Sequence, residues 1–153
     1  MKYSSDVPFT LHVEHNGAVY STDVYDQATG PFFNESLQHK ASTAEQGVVS
    51  IAFTTALGSD LGLGVPAVDG LPTLTLDSGR AVASQAEMNL AVAEVKAALV
   101  KFRSERRLKV IHLFLKGPSA FSMLLGHRLN GLCKVQLYDW VDGSYRATAL
   151  LNA

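Results

Sequence analysis

Residues 110–115 read Val-Ile-His-Leu-Phe-Leu, an almost wholly apolar run that Gly117-Pro118 ends abruptly. A run without alternation predicts a strand that is buried on both faces, as in a parallel sheet. Proline has no N–H to donate and restricts the residue before it, so we expect the strand to stop there. Ser119 is then expected to cap a helix by accepting a hydrogen bond from its first free amides.

The N-terminal third predicts a hairpin followed by a segment without clear structure. Residues 9–14 alternate apolar and polar side chains, Asn16-Gly17 is a turn pair, and residues 19–25 offer a return strand. Residues 27–45 are polar and predict no element. Residues 48–55 are again apolar and predict a central strand, and the glycine-rich stretch after them is expected to be a loop.

The remaining elements follow from capping and turn residues. Ser84-x-x-Glu87 is a capping box that opens the longest helix, whose apolar positions form one stripe. These positions are Met88, Ala91, Val92, Val95, Ala98, Leu99 and Phe102. A second helix is expected over 119–129, ended by Asn130-Gly131. Strands are predicted at 71–76, 134–140 and 145–151, the last two joined by an Asp142-Gly143 turn.

This order of elements, with right-handed crossovers, predicts an α/β fold: a Rossmann-like, mostly parallel sheet flanked by helices, with an N-terminal β-hairpin. We expect residues 1–46 to hold the hairpin and an irregular segment, and residues 47–153 to form the α/β domain. Loops at the carboxyl ends of the strands should share one edge, where open α/β sheets bind ligands. These loops are Thr54-Thr55, 78–80, 116–119 and Asp139.

Composition narrows the possible functions. The 153 residues suit one domain, and 13 Lys+Arg against 14 Asp+Glu leave a net charge of −1, so no overall field draws the chain to nucleic acid or to an anionic membrane. A lone cysteine, Cys133, excludes an internal disulfide and fits a reducing compartment. No signal peptide and no apolar run of about 18 residues is present, which predicts a cytoplasmic protein. The scattered histidines, such as His12 and His39, predict no metal site, and no cofactor is expected.

Five short motifs follow one another through the C-terminal third: His112-Leu113-Phe114, Gly117-Pro118-Ser119-Ala120, Leu125-Gly126-His127-Arg128-Leu129, Val135-Gln136-Leu137-Tyr138-Asp139, and Tyr145 before a short apolar end. In this order they resemble the closing half of a SAVED domain, and the resemblance covers roughly residues 47–152. SAVED domains are related to CARF domains and sense cyclic oligonucleotides in the bacterial anti-phage systems CBASS and type III CRISPR. The resemblance therefore implies a CARF-like domain over 47–153.

The chain has room for one CARF-like half, whereas SAVED domains usually hold two such halves behind an effector domain. It is therefore expected to be a fragment, a subunit of a split system or a minimal stand-alone relative. The resemblance implies partners of two kinds: a cyclic oligoadenylate ligand, and either further copies of the chain or an effector chain that carries a second CARF-like half. DNA and membranes are not expected partners.

The resemblance directs attention to the strand–turn–helix unit as an anion site. Phosphodiesters require amide N–H groups and cations, and the unit offers the amides of Ser119 and Ala120 and the Lys116 ammonium around Gly117-Pro118. The role of Lys116 is inferred from its charge and is not carried over from the family. Further candidates are the hydroxyls of Thr54 and Thr55, which are equally suited to backbone capping, and Arg80, which is equally suited to solvent.

These observations favour a non-catalytic sensor that binds a cyclic oligoadenylate and signals by assembly. One alternative is a ring nuclease that degrades the messenger at the same loops, and another is a degenerate half that serves only as a scaffold. A hydrolase that uses Ser119 with His112 or His127 is disfavoured, because residues 117–121 lack the Gly-x-Ser-x-Gly pattern of a nucleophile elbow. His112, in the middle of a predicted strand, is expected to be buried and hydrogen-bonded.

Overall fold

The structure, a computed structural model, describes residues 10–38, 45–54 and 65–153. The apolar runs become the central strands of a sheet, and the capped amphipathic stripe becomes the long helix. The elements in chain order are β1 (His12–His15), β2 (Ala18–Ser21), β3 (Asn34–Gln38), β4 (Gln46–Ala52), a 3-10 turn (Pro66–Val68), β5 (Thr73–Asp77), α1 (Gln85–Arg106), β6 (Val110–Lys116), α2 (Ser119–Arg128), β7 (Lys134–Val141) and β8 (Ser144–Asn152).

The main sheet has the strand order β3-β5-β4-β6-β7-β8. The four inner strands are mutually parallel, and β3 and β8 run antiparallel at the two edges. The predicted α/β fold with a mostly parallel sheet and an N-terminal hairpin is confirmed. Strand β6 lies between two parallel neighbours and is buried on both faces from Ile111 to Phe114, which explains why its sequence does not alternate.

Both helices and the β1–β2 hairpin pack on one face of the sheet, which we call the helical face. The predicted stripe of α1 is buried throughout, from Met88 to Phe102. The Ser84 hydroxyl accepts a hydrogen bond from the Glu87 N–H at 3.1 Å, so the predicted cap is confirmed. Glu87 bonds to the Ala83 N–H and to Arg80, and these two contacts, led by Arg80, lower the pKa of its carboxyl.

The opposite side of the sheet, the second face, carries a smaller apolar cluster. Phe114 and Tyr138 stack there with ring centroids 4.3 Å apart, and Tyr145 meets Phe114 edge-on. Val65, Val68 and the neighbouring Leu71, in and around the 3-10 turn, belong to the same cluster. Among the described residues, the cluster on the second face is thus completed by a short segment, whereas the cluster on the helical face is built with two helices.

His112 belongs to a row of hydrogen bonds across the second face. Its Nδ1 lies 2.8 Å from the Tyr138 hydroxyl, and its Nε2 lies 2.8 Å from the Gln46 Oε1. The prediction of a buried, hydrogen-bonded histidine is confirmed. Burial lowers the pKa of the His112 imidazole and raises the pKa of the Tyr138 phenol, because it disfavours the charged form of each.

The segment for which the sequence predicted no structure contributes both a strand and core residues. Strand β3 pairs with β5, and Phe32 and Phe33 just before it are buried. The return strand of the hairpin was expected to reach Tyr25 but ends at Ser21, because the chain there turns to run beside α1. Alternation alone could not reveal either feature, since both depend on partners distant in sequence: β3 pairs with β5, and Val24 contacts Asn89.

Burial raises the pKa of the Cys133 thiol, which leaves less of it in the reactive thiolate form. Among the described residues, no helix is both long and apolar enough to cross a membrane.

The stability of the chain should fall as the pH drops below about 6.5, the ordinary pKa of histidine. The pKa of His112 is lower in the folded state than in the unfolded state. As the pH falls below about 6.5, the unfolded chain therefore binds a proton before the folded chain does, and this proton uptake favours unfolding. Thermal unfolding of the wild type and of His112→Gln from about pH 7.5 to about pH 5.5 checks this. The variant should lose less melting temperature than the wild type; equal losses would contradict the assignment.

Candidate ligand-binding edge

The carboxyl ends of the three central parallel strands meet at one edge of the sheet. Ala52 of β4 lies in register with Asp77 of β5 on one side and with Lys116 of β6 on the other. The Phe53 N–H donates to the Lys116 carbonyl at 3.1 Å, and the Ser78 N–H donates to the Ala52 carbonyl at 3.0 Å. The strand ends are therefore held together by backbone hydrogen bonds, as an open α/β sheet requires for a ligand site.

Phe53 fills the space beneath the Gly117-Pro118 turn. A β-carbon built on Gly117 would meet the Phe53 ring, with the Cε2 atom at 2.6 Å, so only glycine fits at this position. The ring also packs edge-on against Phe121 in the first turn of α2, with centroids 4.8 Å apart. One aromatic side chain therefore sets where β6 ends and where α2 begins.

The start of α2 differs from the prediction by one residue. Pro118, with an extended backbone, is the N-cap, and Ser119 is the first helical residue, so the expectation that Ser119 caps the helix was wrong. Proline at this position leaves the helix without a side-chain cap. Among the described residues, the amides of Ser119 and Ala120 have no acceptor, whereas the Phe121 N–H donates to the Pro118 carbonyl. Ser119 is exposed whereas Ala120 is buried, so of these two N–H groups at the positive end of the helix the one of Ser119 is the better placed to meet an anion.

Lys116 brings a positive charge to the same edge from the other side. Its register partner Ala52 belongs to the apolar cluster of the second face, so the Lys116 side chain emerges on that face. The side chain is exposed, and no carboxylate in the described ranges pairs with it. The ammonium and the free amides of α2 therefore flank the end of β6 from opposite faces of the sheet.

The other predicted site residues are arranged less uniformly. Thr54 is exposed just beyond β4, and Thr55 lies outside the described residues. Arg80 follows β5, but its guanidinium stacks on the Phe32 ring at 4.2 Å and contacts Glu87 at 2.5 Å, with 46% of its side chain exposed. Asp139, which was expected in a loop at this edge, lies inside β7, because that strand continues to Val141.

The aromatic support of the edge was missed by the sequence analysis. Phe32 and Phe33 both pack against Phe53, with ring centroids 5.9 Å and 5.4 Å away. The Phe32 N–H donates to both carboxylate oxygens of Glu94 in α1, the nearer at 2.7 Å, which fixes this segment to the helix. The only signal in the sequence was the aromatic pair itself, standing in an otherwise polar stretch.

The geometry rules out His112 as a base for Ser119, one of the two pairings in the hydrolase hypothesis. His112 lies four residues before the end of β6, about 13 Å from Lys116 along the strand, and both ring nitrogens face Tyr138 and Gln46. It is therefore too far from Ser119 to serve as its base. Among the described residues, no group of three His, Cys, Asp or Glu side chains is placed to hold a metal ion.

The mostly parallel sheet, with two helices packed on it and a tightly packed Gly-Pro turn at its carboxyl edge, defines a Rossmann-like α/β domain. The chain belongs to the SAVED family: residues 3–151 match the model of the "SMODS-associated and fused to various effectors sensor domain". The match includes the N-terminal hairpin as well as the segment in which the resemblance was seen.

Similar proteins and solved structures agree with this assignment. The chain is 47% identical over 150 residues to CD-NTase-associated protein 4 of Acinetobacter sp. (strain ATCC 27244 / 9458), covering 98% of this chain and 32% of the relative. It is 48% identical to the Acinetobacter baumannii Cap4 SAVED/CARF-domain containing receptor with the cyclic trinucleotide 3'3'3'-cAAA, with a TM-score of 0.91. The same receptor with 2'3'3'-cAAA gives a TM-score of 0.89. Both matches cover 95% of this chain and 33% of the receptor, so the chain spans about a third of the length of these relatives.

The Phe53 ring occupies the space that a side chain on Gly117 would need. Gly117→Ala should destabilise the chain by about 1–3 kcal/mol, the usual cost of overpacking a core. Gly126→Ala is the matched control, because a β-carbon at this mid-helix glycine meets nothing within 4 Å. That control should gain about 0.5–1 kcal/mol from helix propensity. Urea unfolding measures both; equal stability of the two variants would contradict the packing described.

Proposed function

We propose that this chain is a non-catalytic sensor of a cyclic oligoadenylate second messenger in bacterial anti-phage defence of the CBASS type. The observation that carries the proposal is the TM-score of 0.91, at 48% identity, to a receptor that holds 3'3'3'-cAAA. Identity at this level extends over nearly the whole chain, so the likeness concerns the sequence as well as the backbone.

The chemistry of the edge supports the same ligand class. Phosphodiester oxygens are anionic acceptors, and the edge offers the Lys116 ammonium and the amide of the exposed Ser119; the Ala120 amide also has no described acceptor but is buried, so contact with it would require the turn to shift. Gly117 and Pro118 remain proposed contacts through the backbone of the turn, on the side that faces away from Phe53. Thr54, Thr55 and Arg80 remain proposed contacts; Arg80 would have to leave Glu87 or use its exposed part.

Most of the donors that the described residues supply to the edge, the Lys116 ammonium and the α2 amides, lie at the end of one strand, β6. We infer that a complete pocket also needs a second CARF-like half, supplied by another part of a longer polypeptide, by a partner effector chain or by a further copy. The lengths of the relatives, about three times that of this chain, support this inference. Signalling would then consist of the ligand bringing the halves together.

Removal of the Lys116 charge should weaken ligand binding selectively. A charge-assisted hydrogen bond contributes about 1.5–3 kcal/mol, so Lys116→Ala should lower the affinity for 3'3'3'-cAAA roughly tenfold to a hundredfold. The readout is the rise in melting temperature on addition of the ligand, for the chain alone and with its partner half. Lys134→Ala is the matched control, because Lys134 begins β7 at the opposite edge of the sheet. If no cyclic oligonucleotide shifts the wild type with the partner present, the proposed function is wrong.

The sensor should leave its ligand intact. Prolonged incubation of 3'3'3'-cAAA with the chain, followed by anion-exchange chromatography, should return only the cyclic compound. The spent sample should still raise the melting temperature of fresh protein. Linear product that forms with the wild type and not with Lys116→Ala would instead identify a ring nuclease acting at this edge.

A further inference from the structure

A second concave surface lies far from the ligand-binding edge. It is a groove of about 600 Å³ between the outer side of α1, the end of α2 and the segment 21–27, and we call it the α1–α2 groove. Arg128, which lines it, ends α2, whereas Ser119 at the ligand-binding edge begins that helix. The ten residues of α2 place the two about 15 Å apart, so the groove is a separate site.

Hydrogen bonds from α1 hold the outer wall of the groove in place. The Asn89 Nδ2 donates to the carbonyls of Val24 and Asp26, each at 2.7 Å. The Gln85 Oε1 accepts from the Ser21 N–H at 2.7 Å, at the other end of the wall. A wall fixed in this way exists before anything binds, which lowers the entropy cost of docking.

The groove gathers apolar side chains that a folded protein would normally bury. Val24, Tyr25 and Val100 line it and are 40%, 79% and 47% exposed. Ala93 and Ala97, one turn apart on α1, form a floor with no long side chains. These side chains give the groove an apolar lining that is open to solvent.

The rim of the groove is positively charged. Lys96, Lys101 and Arg128 line it, and no acidic residue among the described ones does. The ion pairs within the described ranges involve Arg80 and Lys109, so none of the three rim cations is neutralised by a carboxylate there. Asp23, in the wall segment, accepts a hydrogen bond from the Ser21 hydroxyl and does not line the groove.

Charge complementarity selects the occupant. Three unpaired cations around an apolar floor suit a chain that carries both carboxylates and an aliphatic or aromatic anchor. We propose that the α1–α2 groove docks an acidic segment of a partner polypeptide whose apolar side chains rest on Val100 and the alanine floor. The inference does not rest on cyclic-nucleotide binding, because it uses none of the residues at the ligand-binding edge.

Nucleic acid is a poorer fit for the same surface. A single strand needs a continuous positive track and several aromatic faces for stacking, whereas the groove offers three cations and the single aromatic ring of Tyr25. The overall charge of −1 gives no additional attraction. Nucleic acid and a second copy of the chain are therefore outcomes that the test must separate from an acidic peptide.

In the test, a library of displayed random peptides is selected for binding to the whole chain. Peptides that also bind the double variant Lys96→Glu/Lys101→Glu are then removed. The enriched sequences should be acidic with apolar anchors, and their synthetic copies are measured by fluorescence anisotropy. Binding should fall at least tenfold for the double variant and for Val100→Asp. It should be unchanged for Lys134→Glu, a matched cation outside the groove. High salt should also weaken it, because the rim is open to solvent.

Three results would overturn the proposal: enriched peptides that are neutral or basic, binding that ignores the groove variants, or an oligonucleotide that binds more tightly than the peptides through the same residues. Sedimentation provides a fourth, since a dimer abolished by Lys96→Glu/Lys101→Glu would assign the groove to self-association. The groove variants should keep the wild-type melting temperature and its shift with 3'3'3'-cAAA. A failure of the groove proposal is thereby distinguished from a failure of the proposed function.

Discussion

The contact between the Phe53 ring and the bare backbone of Gly117 is the constraint on which the ligand-binding edge depends. Phe53 closes β4, Gly117 closes β6, and Phe121 on the far side of the ring begins the packed face of α2. Because the ring occupies the space of a β-carbon, the turn is drawn close to the sheet and α2 starts directly after it. The free amides of α2 and the Lys116 ammonium are therefore positioned by core packing and not by polar contacts of their own.

The two faces of the sheet are built differently, and this difference affects the site. The helical face is covered by α1, α2 and the hairpin, whereas the described cover of the second face is a short segment around the 3-10 turn. The buried His112 and its hydrogen-bond partners Tyr138 and Gln46 lie on the second face. Lys116 emerges on the same face, opposite the side of the sheet on which α2 begins.

Much of the fold could be predicted from the sequence, because its signals are local. The Ser84 cap and the apolar run of β6 act within a few residues of themselves. The missed features depend on distant partners: β3 forms by pairing with β5, and Phe32 is placed by Glu94. The cap of α2 was misplaced by one residue, because proline and serine both occur at helix starts and nothing local in the sequence distinguishes which of Pro118 and Ser119 is the N-cap. Arg80 was predicted at the correct edge, but sequence could not reveal its pairing with Glu87.

The arrangement of donors bears on why one such edge would not suffice for a cyclic ligand. A cyclic trinucleotide presents three phosphodiesters around a ring. Donors that lie at the end of one strand can contact only some of these phosphodiesters. The Lys116 ammonium and the α2 amides both lie at the end of one strand, β6, on opposite faces of the sheet. Burial of the remaining phosphates and bases requires further walls, and binding then becomes inseparable from bringing those walls together. Under the proposed function, the incompleteness of the edge is what links recognition of the messenger to assembly.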